Sequence, residues 1–244
     1  MEEMITNSKG EILDYTFHNP GNPSRDILII GHGVTGNKDR HLVVTLAEAV
    51  SNEGMAVLRF SFSGNGSSGG DFRDCTISKE VGDLKAVVTA AVKKGYRVTY
   101  AGHSMGGAVG VLAASSDDRI KHLISLAGMV HTMDFYKREF GEEKPDEGCM
   151  WEEPSYPLSS TYRNDMYEIA SVASKASEIK IPWLLIHGDA DDVIPIEDSR
   201  QIFALANEPK KIIEISGANH VFGQAGLEPM SEAVIDWIGE ILRG

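Results

Sequence analysis

The chain has 244 residues, of which 42% are hydrophobic and 24% charged, and its formal net charge is -13. These proportions are typical of a soluble globular protein and exclude intrinsic disorder and collagen-like repeats. The negative charge argues against nucleic acid and anionic membrane surfaces as partners, because both are bound mainly through Lys and Arg. Two cysteines, Cys75 and Cys149, are too few for a disulfide framework or a thiolate metal site.

The length exceeds one average domain of ~150 residues and falls short of two, which predicts one domain with an insertion. No apolar run reaches the ~18 residues of a membrane span, and the start of the chain is acidic where a signal peptide would be basic. We therefore expect a cytoplasmic protein without membrane association. The composition leaves the oligomeric state open, a homodimer included.

In chain order, the first predicted element is an antiparallel hairpin at a sheet edge, since a turn at 7–10 precedes alternating apolar residues at 13, 15 and 17. Six further strands are predicted at 26–30, 55–60, 97–101, 122–126, 181–187 and 211–215. Five helices are predicted at 39–51, 76–93, 105–115, 197–206 and 228–242. This alternation predicts an α/β protein with a mostly parallel eight-stranded sheet and helices on both faces.

One connection does not fit this alternation. About fifty residues with no clear βα unit separate the strand at 122–126 from the strand at 181–187. Insertions of this size in a compact domain are usually functional, often as a lid. The insertion is rich in aromatic side chains, which are Phe135, Tyr136, Phe140, Trp151, Tyr156, Tyr162 and Tyr167.

Gly31, Gly33 and Gly36 follow a predicted strand and match the G-x-G-x-x-G pattern of dinucleotide-binding loops. A second match at 64–69 shows how weakly this pattern discriminates. The second strand ends without the acid that binds a ribose, although Arg59 there suits the phosphate of NADP. An NADP-dependent oxidoreductase is therefore kept as an alternative. The acidic run at 189–192 lacks the Gly and Glu of an EF-hand loop, so no metal is expected.

The residues 102–106 read G-x-S-x-G between a predicted strand and a helix of small residues, which predicts a nucleophile elbow at Ser104. A serine nucleophile needs a base that is oriented by an acid, and in this arrangement they follow in the order Ser, Asp or Glu, His. His220, in the loop after the last strand, is the histidine that fits as base. The acid lies among Asp189, Asp191 and Asp192, and the spacing favours Asp191.

An acyl-transfer reaction also needs N–H donors for the oxyanion that develops on the substrate carbonyl. The backbone of Met105, which follows the serine, is predicted to supply one donor. The loop after the first parallel strand is predicted to supply the other from Val34. In this interpretation the glycines at 31–36 let the backbone approach the substrate, His32 is structural, and the loop 63–70 borders the same site.

Five segments together resemble the α/β-hydrolase fold and, more narrowly, bacterial feruloyl (cinnamoyl) esterases and their monoacylglycerol-lipase-like relatives. They are 32–38 (HGVTGNK), 64–68 (GNGSS), 102–107 (GHSMGG), 187–191 (HGDAD) and 217–222 (GANHVF). The chain departs from that pattern at Val34, where an aromatic residue is usual, and in the loop 60–66, which lacks its acid.

The resemblance implies a cofactor-independent serine esterase with a lid at 129–177 on a core formed by 1–128 and 178–244. The lid composition predicts a pocket for flat apolar acyl groups, with Trp151 and Tyr162 in contact and Asp134 accepting a hydrogen bond from a phenol. The predicted substrate is a small carboxylic ester, with hydroxycinnamoyl esters favoured. A monoacylglycerol lipase, a thioesterase or a small peptidase would use the same machinery.

Overall fold

The computed structural model describes residues 3–21, 25–223 and 225–243. The strands are β1 (Ile5–Thr6), β2 (Ile12–Leu13), β3 (Tyr15–His18), β4 (Asp26–Gly31), β5 (Ala56–Phe60), β6 (Arg97–His103), β7 (Ile120–Leu126), β8 (Trp183–Gly188) and β9 (Lys210–Ile215). The helices are α1 (His41–Asn52), α2 (Ile77–Lys93), α3 (Met105–Ala114), α4 (Thr132–Phe140), α5 (Ser160–Ile169), α6 (Ile196–Leu205) and α7 (Leu227–Arg243). Residues 1–2, which belong to the acidic start of the chain, lie outside the described residues.

The central sheet has the strand order β3-β5-β4-β6-β7-β8-β9. Strand β3 runs antiparallel to β5 at one edge, and the other pairings are parallel. The predicted α/β class with a mostly parallel sheet is confirmed. In the described part of the chain this sheet has seven strands, so the predicted count of eight is wrong.

The missing eighth strand is explained by the path of the chain at Asp14. Strands β1 and β2 form a separate two-stranded sheet, and only β3 joins the central one. The amide of Asp14 donates to Ser68 Oγ at 2.8 Å and its carbonyl accepts from Ser61 N at 2.9 Å. These bonds turn the chain between β2 and β3, so the hairpin does not continue the sheet edge.

Successive residues of the parallel strands are buried on opposite faces of the sheet, as the twofold period of a strand requires. Ile27 and Ile29 belong to a core with α2 and α3, whereas Leu28 and Ile30 belong to a core with α1 and α7. Burial on both faces explains why these strands are continuous apolar runs. Within the described residues, no helix is both long and apolar enough to cross a bilayer.

The inserted segment contains α4, α5 and two 3₁₀ turns (Met150–Glu152 and Ala173–Glu178). Its aromatic rings pack mainly on one another: Phe140 lies 5.9 Å from Phe135 and 6.4 Å from Tyr162, centroid to centroid. Trp151 meets the same Phe140 ring at 4.9 Å. The segment therefore has a small apolar core of its own, continuous with the core beside α2 and α3. Its function as a lid stays a prediction.

Candidate active site

Ser104 lies on the sharp turn that joins β6 to α3. Its backbone has φ 54° and ψ -118°, a left-handed conformation that is strained for any residue with a Cβ. A Cβ at Gly102 would overlap the carbonyl oxygen of Gly106, so the turn needs glycine there. The amide of Ser104 donates to Leu126 O on the neighbouring strand at 2.9 Å. The turn and this hydrogen bond hold Ser104 at the carboxyl end of β6.

His220 lies in the loop after β9, and its ring lines the same cavity as Ser104. The ring nitrogen Nδ1 lies 2.8 Å from Asp191 Oδ2, and because a carboxylate only accepts, Nδ1 is the donor. The other nitrogen, Nε2, makes no hydrogen bond with the described residues. In the part of the chain that the structure describes, Ser104 Oγ and His220 Nε2 are not joined by a hydrogen bond.

Asp191 is the carboxylate that the structure places beside His220. Its Oδ1 accepts from the amides of Val193 and Ile194, both at 2.9 Å, and His187 Nε2 lies 3.1 Å from Oδ2. Burial raises the pKa of this carboxyl, but the hydrogen bonds from His187 and His220 outweigh burial and hold the pKa well below its usual range. Asp191 is therefore ionised and held in one orientation.

The two neighbouring acids point elsewhere. Asp189 is exposed, and its Oδ1 accepts from Gly217 N at 2.6 Å. Asp192 is exposed as well. Of the three candidate acids, the structure thus places Asp191 beside His220. Asp189 instead links the loop after β8 to the loop after β9.

His103, directly before Ser104, is a residue whose importance sequence reasoning missed. Its Nε2 donates to the backbone carbonyl of His220 at 2.9 Å, and the two rings lie 4.9 Å apart. Burial, and then the nearby His220, lower the pKa of His103 to about 3, so its ring is neutral. The sequence feature that could have indicated this role is the position of His103 directly before the serine, as the first x of G-x-S-x-G.

The loop between β4 and α1 packs directly against Ser104, since a Cβ at Gly33 would lie 2.9 Å from Ser104 Cβ. Neither the amide of Val34 nor that of Met105 donates to an acceptor within residues 3–21, 25–223 and 225–243. Met105 is the first residue of α3, where a backbone N–H is free to bind an anion. Both predicted donors are thus available on either side of the serine.

The remainder of this loop is held by the predicted structural residue His32. The amide of Phe62 donates to its Nε2 at 3.0 Å, and its Nδ1 donates to Gly33 O at 2.8 Å. Burial lowers the pKa of His32 to about 4, which keeps the ring neutral. The loop 63–70 supports this arrangement from behind and does not line the cavity, contrary to the sequence interpretation. Its anchor, which sequence reasoning missed, is buried Asp83, which accepts from Ser63 N at 2.8 Å.

A cavity of about 430 Å³ opens over Ser104 and His220. Its apolar walls include Phe135, Trp151 and Val193. Trp151 is 46% exposed and its Nε1 donates to Glu139 Oε2 at 3.2 Å, and its predicted contact with an acyl group stays a prediction. Of the other wall residues, Phe135 and Val193 were not singled out from the sequence.

Tyr162 and Asp134 do not line this cavity, so the structure does not bring them together with Ser104, and their contacts with an acyl group stay predictions. Tyr162 is 3% exposed because α5 turns its ring into the aromatic core of the inserted segment. Asp134 is exposed on α4, one position before the cavity residue Phe135, and the helical period directs the two side chains to different faces.

The dinucleotide interpretation does not fit the loop geometry. In such sites the glycine loop opens directly into a helix whose N-terminus binds the pyrophosphate. Here α1 begins at His41, well beyond Gly36, and the loop packs on Ser104 instead. In the described residues, no group of three or more His, Cys, Asp or Glu side chains is placed to hold a metal ion.

A serine on a sharp strand-to-helix turn, with a His–Asp pair on the loops after the last two strands, defines the molecule as an α/β hydrolase. The chain belongs to the prolyl oligopeptidase family (Peptidase_S9), whose model matches residues 42–243. Solved structures of the protein Est1E confirm the resemblance to α/β-hydrolase esterases that the sequence indicated.

The Butyrivibrio proteoclasticus protein Est1E, solved with ferulic acid bound, has a TM-score of 0.88 at 29% identity, covering 99% of this chain and 100% of that one. The uncharacterized protein YfhR of Escherichia coli K12 is 29% identical over 221 residues, which are 86% of this chain and 69% of YfhR. The mitochondrial palmitoyl-protein thioesterase ABHD10 of Bos taurus is 26% identical over 184 residues, 70% of this chain and 58% of that protein. This chain therefore spans less than two thirds of the bovine protein.

Proposed function

We propose that the protein is a serine carboxylesterase in which Ser104, His220 and Asp191 form the catalytic triad. The observation that carries this proposal is the 2.8 Å hydrogen bond between His220 Nδ1 and Asp191 Oδ2, in a loop that faces Ser104 across one cavity. The bond fixes the tautomer in which His220 Nε2 is unprotonated, which is the form required of a general base.

The reaction follows from these positions. Ser104 Oγ attacks the ester carbonyl carbon while His220 Nε2 takes the hydroxyl proton, and the oxyanion accepts from the amides of Val34 and Met105. Collapse breaks the bond to the alcohol oxygen, which leaves with the proton from His220. Water then attacks the acyl-enzyme by the same route and releases the acid. Asp191 keeps His220 oriented and stabilises its charged form.

The hydrogen bond between Ser104 and His220 must form for this sequence to begin. Such catalytic bonds are often long without substrate and shorten in the complex. A change of the Ser104 side-chain rotamer, or a small movement of the loop at His220, is the adjustment that the proposal requires.

For the substrate we propose small esters with a flat aromatic acyl group, hydroxycinnamates first among them. The apolar walls at Phe135, Trp151 and Val193 support this choice, because aromatic rings bury well against such side chains. The likeness to Est1E, which was solved with ferulic acid, supports it as well. The likeness to ABHD10 makes a thioester the second substrate class to test.

The test is a panel of substrates assayed with purified protein in EDTA after dialysis. Methyl ferulate, methyl p-coumarate, methyl hexanoate, a palmitoyl thioester and a long-chain monoacylglycerol are compared by kcat/KM. The proposal expects the hydroxycinnamates to be hydrolysed fastest. Faster hydrolysis of the monoacylglycerol or the thioester would overturn the substrate assignment, and a need for added metal or NADPH would overturn the mechanism.

A further inference from the structure

The cavity over Ser104 has one permanently charged residue in the described part of its lining, Arg40. Arg40, at the end of the loop between β4 and α1, contributes to its wall together with His41, Leu42 and Val43 from the first turn of α1. None of the described residues that line the cavity is acidic, and the first turn of α1 contains no acid. Arg40 is therefore the permanent charge of this otherwise largely apolar cavity.

Within the described part of the chain, the guanidinium of Arg40 also lacks an acidic partner; Arg25, Arg163 and Arg243 lack one as well, but Arg40 is the one of these four that lines the cavity over Ser104. Among the described residues its one hydrogen bond is from Nη2 to Thr35 O at 3.0 Å, and no carboxylate lies within 4.0 Å. Six other arginines do have a carboxylate within that distance, namely Arg59, Arg73, Arg97, Arg119, Arg138 and Arg200. In a chain with 36 acidic residues, an exposed arginine left without an acid has donors available for a ligand.

We propose that Arg40 is a specificity-determining residue that binds a carboxylate on the ester substrate, so that the preferred substrates are anionic esters. The inference rests on the proposed esterase function and narrows its substrate class. A guanidinium presents parallel N–H donors that match the two oxygens of a carboxylate. The bond to Thr35 orients Arg40 without consuming its remaining donors.

The exposure of Arg40 limits how large the preference for charged esters can be. The side chain is exposed, and exposed ion pairs are weakened by water and salt. We therefore expect a preference of about fivefold in kcat/KM for a charged ester over its neutral isostere. The preference should shrink when the salt concentration is raised from 0.05 M to 0.5 M.

Two pairs of isosteric esters test the proposal and locate the charge. The first pair carries it on the alcohol part: the carboxymethyl ester of p-coumaric acid and the corresponding carbamoylmethyl ester. The second pair carries it on the acyl part: monomethyl glutarate and methyl 4-carbamoylbutanoate. The members of each pair differ in charge and hardly in size, so a preference within one pair reports the side on which Arg40 acts.

The variants are Arg40→Gln, Arg40→Lys and, as a matched control, Arg73→Gln, which removes an exposed arginine away from the cavity. The proposal expects Arg40→Gln to abolish the charge preference while kcat/KM for neutral esters changes less than twofold. Arg40→Lys should keep part of the preference, and Arg73→Gln all of it. Equal rates within both pairs for the unmodified protein would overturn the proposal.

An equal loss on charged and neutral esters in Arg40→Gln would also overturn it, because Arg40 would then act only by holding Thr35. Failure of the underlying esterase function gives a different result. In that case none of the four esters would be hydrolysed by the unmodified protein, whatever the residue at position 40.

Discussion

His103 donates a hydrogen bond from Nε2 to the backbone carbonyl of His220, with 2.9 Å between the two atoms. The residue that precedes the proposed nucleophile thus holds the loop of the proposed base. The position of His220 is therefore set through this contact as well as through Asp191. Because His103 is half-buried and neutral, it acts by position and carries no charge into the site.

Replacing His103 should therefore change turnover more than substrate binding. His103→Leu removes the donor to His220 O, and we expect kcat to fall by about tenfold or more with KM nearly unchanged, since small misplacements of catalytic groups are costly. His103→Gln can still donate and should recover part of the loss. Steady-state kinetics on methyl ferulate measures both effects. Equal activity of the Leu and Gln variants would contradict the positioning role.

The choice of Asp191 over its neighbours can be tested with three Asp→Asn variants. Asp191→Asn should lower kcat by roughly 10³-fold or more, because it removes the charge that orients His220 and stabilises its protonated form. Asp189→Asn and Asp192→Asn are the matched controls, and each should stay within about threefold of the unmodified protein. A large loss in either control, with activity kept in Asp191→Asn, would show that another acid serves His220.

Trp151 is expected to determine the preference for aromatic acyl groups. Trp151→Ala should reduce kcat/KM for methyl ferulate by about tenfold relative to an acetate ester, because it removes apolar wall at the cavity. Tyr162→Phe and Asp134→Asn are controls, since neither residue lines the cavity. The ratio of the two kcat/KM values is the quantity to compare. A ratio changed by Tyr162→Phe but not by Trp151→Ala would mean that the insertion binds substrate in another arrangement.

The predictability of the fold from sequence differed between the core and the insertion. The six parallel strands and five helices were predicted with boundaries within two residues of those observed. Strands buried on both faces, such as β4, are apolar runs that a single sequence reveals. Helices α4 and α5 were not predicted, although buried Thr132, Phe135, Tyr136 and Phe140 in α4 follow the helical period; both helices are short, at nine and ten residues. The turn at Asp14 depends on Ser68, which is distant in sequence.

The residues of the candidate site were also predictable from the sequence only in part. Ser104 and His220 follow from local motifs and chain order, and the structure places both at one cavity. Among Asp189, Asp191 and Asp192 the spacing already favoured Asp191, and the 2.8 Å distance from Asp191 Oδ2 to His220 Nδ1 distinguishes it from its neighbours. The positions of Tyr162 and Arg40 relative to the cavity could not be predicted, because they depend on how α5 and α1 pack and not on any local motif.

Stability should decrease in mild acid, in part through His122. This side chain is 8% exposed, and Thr99 Oγ1 lies 3.0 Å from its Nδ1. Burial, and then the charge of Arg97, lower the pKa of His122 to about 4 in the folded protein. An unfolded histidine has a pKa of about 6.5, so between about pH 6.5 and pH 4 the unfolded chain takes up a proton that the folded chain does not.

The free energy of unfolding should accordingly fall as the pH is lowered through this window. His122→Gln should reduce the loss between pH 8 and pH 5 by about 1 to 2 kcal/mol, measured by urea denaturation. Comparing the change with pH, and not the stability at one pH, cancels the effect of the altered packing. Identical pH dependence in both proteins would contradict the depressed pKa.

Covalent labelling with a fluorophosphonate probe shows whether Ser104 is an activated nucleophile. We expect one phosphonyl adduct per chain in the intact mass, located on Ser104 by peptide mapping. Labelling should be lost in Ser104→Ala and strongly slowed in His220→Ala, with circular dichroism of both variants unchanged. No adduct on the folded protein, or an adduct on another serine that persists in Ser104→Ala, would show that Ser104 is not the activated nucleophile.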